Sequence, residues 1–160
     1  MYPDRYVYLL KNNNATAPGE PDYHFILGGI TFYMELKYVA SIPNNRDALL
    51  LGHPFEPTQY KHGYLITISG APYAGVVGIE DRAYLPCIDL IKKGNFSYNE
   101  LISRNDGLFM YSDSIWDVKR MVKLMENRTK LLNSLPLDER KRIYEGTIST
   151  PSGATGPKTE

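Results

Sequence analysis

The chain has 160 residues, of which 42% are apolar, and its 18 basic residues are balanced by 18 acidic ones. That length supports one buried core, the composition is too apolar for a wholly disordered chain, and no net field draws the protein onto DNA or anionic lipid. A single cysteine excludes an internal disulfide, and within one chain it excludes a zinc site of four cysteines or of two cysteines and two histidines.

The first ten residues, MYPDRYVYLL, lack the basic-then-apolar order of a secretory signal. No apolar run approaches the roughly 20 residues of a membrane helix. A cytoplasmic setting is therefore expected, and the sequons at Asn14, Asn95 and Asn127 read as ordinary surface.

Arg5 to Leu10, dense in Tyr, Val and Leu, reads as a first strand. Residues 11–23 read as a loop with two prolines. His24 to Leu27 is a short apolar run ending at Gly28-Gly29. Ile30, Phe32, Met34, Leu36, Tyr38, Ala40 and Ile42 then alternate with Thr31, Tyr33, Glu35, Lys37 and Ser41. Period two predicts a long strand with one buried and one wet face. The glycine pair suits a tight turn, so residues 24–42 are expected to form a hairpin.

Residues 46–51 fit strand or short helix, and 52–63 read as loop. Tyr64 to Ser69 reads as a strand stopped by Gly70-Ala71-Pro72. A broken strand and a turn at Glu80-Asp81-Arg82 are expected over 73–85. Residues 86–93, closed by Gly94, suggest a short helix, with strand left open. Ser97 and Glu100 have capping-box spacing, which predicts a helix over about 98–104. Leu108 to Tyr111 reads as a short strand. Ile115, Val118, Val122, Met125, Thr129 and Leu132 form one stripe of a long helix at about 114–133. Leu137 to Glu145 is a last helix, with Asp138 and Glu139 favourable in its first turn. Residues 147–160, mostly Ser, Thr, Gly and Pro, have the composition of a flexible tail.

The pattern as a whole predicts one α+β domain over 1–146. An antiparallel sheet surrounds the 24–42 hairpin, and the C-terminal helices pack on one of its faces.

Motifs that carry chemistry are sparse. His53, Glu56 and His62 sit in one short segment and could supply metal ligands, but no HxH, HExxH or H-x3-H spacing is present. Cys87 lies between Pro86 and Ile88, with no basic neighbour to stabilise a thiolate. The glycines of GAPYAGVVG at 70–78 lack the lysine of a phosphate loop. No cofactor is implied.

Two compositional signals point to contacts with other molecules. There are 13 Tyr against 5 Phe and 1 Trp, and tyrosine is enriched at protein interfaces. Tyr33, Tyr60, Tyr73 and Tyr84 are the expected interface residues, on a wet strand face, in loops or beside turns. Residues 114–142 hold eight basic and four acidic side chains, a surplus of +4 that leaves −4 elsewhere. Lys119, Arg120, Lys123, Arg128 and Lys130 are the expected basic face. Such a face is solvated, or docks on the acidic part of a neighbouring copy, or meets nucleic acid. The leading expectation is a non-catalytic subunit of a larger assembly, homo-oligomeric or multi-subunit, such as a virion or phage tail or neck component. A small hydrolase or metal-dependent enzyme using His53, Glu56 and His62 is the first alternative. A nucleic-acid binder using the basic helices is the second.

Overall fold

A computed structural model describes residues 7–11, 19, 21–27, 30–110 and 114–145. The first two residues of the expected first strand, Arg5 and Tyr6, lie outside that set, as do the Gly28-Gly29 turn and the 147–160 tail.

The protein is of the α+β class. Among the described residues six strands follow chain order across one sheet: β1 (Val7–Lys11), β2 (Tyr23–Leu27), β3 (Ile30–Val39), β4 (Tyr73–Ile79), β5 (Arg82–Pro86) and β6 (Asn105–Met110). All neighbours are antiparallel except β3 and β4, which run parallel. A parallel pair needs a crossover, and helix α1 (Pro57–Ile68) provides it. The sheet is thus mixed, not purely antiparallel. The expected hairpin over 24–42 is also shorter in its pairing. β2 meets β3 only from Tyr23↔Met34 to Leu27↔Ile30, and the rest of β3 pairs with β4.

α1 replaces the loop and strand expected over 52–69. Its β-branched run Ile66-Thr67-Ile68 mimics a strand. Its start carries helix signals: Pro57 in the first turn, and the Glu56 backbone N–H donating to Gln59 Oε1 at 2.9 Å. Tertiary contact decides the outcome. Gly63 and Thr67 are buried, and a Cβ at Gly63 would stand 2.6 Å from the Tyr73 ring. The missing side chain lets the helix settle directly on the sheet.

β4 is buried along its whole length, as a central strand covered on both faces must be. Glu80, at φ 55°, turns it into β5. Pro86 closes β5 and does not open a helix; α2 (Ile88–Lys93) starts after Cys87 and stops at Gly94, whose φ is 89°. α3 (Tyr98–Ser103) has the expected capping box. The Glu100 N–H donates to Ser97 Oγ at 3.1 Å and the Ser97 N–H donates to Glu100 Oε2 at 2.8 Å. Residues 46–51 are neither helix nor strand, apart from an isolated bridge between Leu49 and Ser97. β6 begins at Asn105, three residues before the expected strand.

α4 (Ser114–Ser134) and α5 (Leu137–Tyr144) follow. Contrary to expectation, they do not share a face of the sheet. Val122 and Met125 of α4 pack with Phe32, Met34, Ala74, Val76, Ala83 and Leu85. Tyr144 of α5 joins Tyr73, Val77, Ile79 and Tyr84 on the opposite face, with Phe55, Leu90, Phe96 and Leu101. Alternate residues of β4 and β5 feed the two clusters, because successive side chains point to opposite sides. Two covered faces also overturn the expectation of one wet face on β3.

Candidate functional site

β3 outruns β2. Past Met34 its residues 35–39 pair with β4 on one edge, and among the described residues no strand pairs with the other edge. Asp22, just before β2, takes part of that edge by accepting the Leu36 backbone N–H at 2.8 Å. A cleft of about 450 Å³ opens there, lined by Asp22, Glu35, Leu36, Lys37, Tyr38, Leu51, Gly52, His53 and Gln59. A volume of that size holds a small ligand.

Glu35 is the unusual member. It is only 2% exposed, although the alternation places it on a wet face. The reason is α1, whose Gln59 Nε2 donates to Glu35 Oε1. Lys37 Nζ lies 3.2 Å from the same oxygen and 5.4 Å above the Phe55 ring. Glu35 Oε2 is buried without a partner. Burial, and secondarily the nearby Asp22 charge, push the Glu35 carboxyl up to about 7; Lys37 opposes the rise. The Tyr73 hydroxyl is also buried and unpartnered, and burial holds its pKa well above the ordinary phenol value.

Conversely, Leu36 and Tyr38, expected on the buried face of β3, are 37% and 74% exposed. They stand where the covering of the sheet gives out.

Other expected residues are placed differently. Tyr73 and Tyr84 are core side chains, 7% and 2% exposed, so neither ring is available to a partner. Tyr84 meets Tyr98 edge-on, with hydroxyls 3.3 Å apart. Tyr33 is half-buried and stacks on His24 at 4.3 Å. Tyr60 is half-buried against Tyr144, whose hydroxyl donates to the Tyr60 carbonyl at 2.7 Å. Tyrosine here chiefly fills sheet and helix-sheet contacts.

The basic face is partly neutralised. Arg128 Nη2 lies 3.0 Å from Asp106 and Lys123 Nζ lies 3.7 Å from Glu126. Arg120 and Lys130 are exposed, and the Lys119 side chain lies outside the described residues. Arg128, Asp106, Pro72, Leu132 and Tyr144 border a second cavity of about 80 Å³. Beside it, Cys87 Sγ donates to Asp106 at 3.4 Å. Burial and the Asp106 carboxylate push that thiol up to about 12, which keeps it protonated at neutral pH.

His53 lines the cleft, while Glu56 stands at the α1 N-cap and His62 on the helix itself. Among the described residues no group of three or more His, Cys, Asp or Glu side chains is arranged to hold a metal ion. None of the described helices is long and apolar enough to cross a membrane. The residues sequence reasoning missed are Asp22, Glu35, Lys37 and Gln59. Their one signal is the Glu56–Gln59 capping spacing, which marks the helix that buries Glu35.

The fold defines an α+β protein with helices on both faces of a mixed sheet. No protein-family model matches the sequence, and no curated protein matches it.

Proposed function

We propose that the protein is a non-catalytic subunit of a larger protein assembly and makes its contact through the open edge of β3. One observation carries this reading: residues 35–39 lack a strand on one edge among the described residues, and Leu36 and Tyr38 are exposed there. An unpaired strand edge beside exposed apolar side chains accepts another chain by strand addition and hydrophobic contact. A second copy of this chain is the simplest occupant. A virion or phage tail or neck component, assembled in the cytoplasm, is the concrete form of the proposal.

The test is native mass by light scattering after size exclusion, over a concentration series. A defined oligomer is expected, with the double variant Leu36→Ser/Tyr38→Ser running as a monomer of unchanged circular dichroism. A monomeric wild type at every concentration would overturn self-association through this edge.

A further inference from the structure

The cleft beside β3 is a polar site with an unmet demand. Glu35 Oε1 already accepts from Gln59 and Lys37, while Oε2 is buried without a partner. Native proteins rarely leave such an acceptor unmatched. Charged and titratable groups face Glu35 from each neighbouring segment. Asp22 comes from the turn before β2, Lys37 from β3 itself, His53 from the loop before α1 and Tyr73 from β4. α1 contributes the neutral Gln59. Asp22 and Glu35 set two acidic side chains against the one basic side chain of Lys37. Leu51, in the same core cluster as Phe55, is an apolar member of the lining on the Glu35 side of the sheet.

We propose that this cleft binds one ammonium or guanidinium group carried on a short apolar stem, with the cation donating to Glu35 Oε2 and the stem lying against Leu51. The charge it brings matches the surplus in the cleft. Where Glu35 is protonated, binding expels that proton to solvent, and the carboxylate formed pairs with the cation. Glu35 titrates at about 7. The ionised fraction therefore rises about tenfold between about pH 6 and about pH 8, and affinity rises with it.

The cation has two sources to separate: a free small amine, or a Lys or Arg side chain of another chain. The second source rests on the assembly reading above, and the first does not. The chain itself carries suitable groups. Residues 114–142 hold a surplus of +4, and Lys130 on α4 is exposed with no ion-pair partner among the described residues.

The experiment titrates n-butylammonium and butylguanidinium into the full-length protein by calorimetry at both pH values and constant ionic strength, with n-butanol as the uncharged control. Saturable one-site binding is expected, about tenfold tighter at the higher pH, with no binding of n-butanol. Glu35→Gln should weaken binding at least about tenfold and remove its pH dependence, because the new side chain cannot ionise. Asp22→Asn should weaken binding severalfold and keep the pH dependence. His53→Ala should keep it too, which separates the carboxyl from the imidazole. Absence of saturable binding by the wild type overturns the proposal, as does equal binding by a folded Glu35→Gln variant. Native mass in the presence of n-butylammonium separates the sources. Dissociation of an oligomer assigns the cation to a neighbouring chain, and an unchanged mass with bound ligand assigns it to a free amine. An oligomer that binds no cation retires this proposal alone, and a monomer that binds one retires only self-association through the β3 edge.

Discussion

Glu35→Gln should change how stability depends on pH. The Glu35 carboxyl titrates at about 7 in the folded protein, against 4.5 for an unperturbed glutamate. Between those values the folded state holds a proton that the unfolded chain has released. Stability from this group is fully present below pH 4.5, declines as pH rises, and is lost above about 7. A shift of this size corresponds to about 3 kcal/mol at about pH 8. The side chain is 2% exposed, so solvent screening removes little of it. Gln keeps the shape and can still accept from Lys37 and Gln59 through its carbonyl oxygen, but it carries no charge. That free energy is already net of the attraction to Lys37, which opposes burial, so the variant should gain about 3 kcal/mol on the wild type between about pH 4 and about pH 8. Urea unfolding by circular dichroism, run on wild type and variant from about pH 4 to about pH 8.5, reads the difference directly. The gap should open through the interval between 4.5 and about 7, to the advantage of Glu35→Gln. Parallel curves would refute the buried, proton-holding carboxyl and the reasoning built on it.

Gly63→Ala should cost about 1–3 kcal/mol, because the added methyl meets the Tyr73 ring and the Tyr144 hydroxyl; a neutral value in urea unfolding would mean that α1 does not sit directly on these tyrosines. Ser97→Ala removes the acceptor of the Glu100 N–H at a buried N-cap and should cost about 1–2 kcal/mol by the same assay. Met125→Ala empties a fully buried position under α4 and should cost about 2–5 kcal/mol, whereas a small loss would detach α4 from the sheet. Cys87 should react with iodoacetamide at about pH 8 far more slowly than a free thiol and reach the ordinary rate in urea; fast labelling of the folded protein would contradict a thiol held near 12.

What could be read without coordinates was local. The capping box at Ser97 and Glu100, the stop at Gly94 and the apolar stripe of α4 each depend on groups a few residues apart, so spacing alone carries them. The turn at Glu80-Asp81 belongs with these. Long-range packing decided the rest. The β-branched end of α1 reads as a strand until Gly63 meets Tyr73 and Tyr144 from distant parts of the chain. Period two on β3 correctly separates two sets of side chains, but it does not say which set is covered. Placing α1 over Glu35 and leaving Leu36 and Tyr38 outside reverses the simple assignment at those positions. The fate of Tyr73 and Tyr84 follows the same rule, since a tyrosine beside a turn and one in a central strand look alike in sequence. Alternation is a property of one strand, whereas burial depends on which elements the tertiary fold lays over each face.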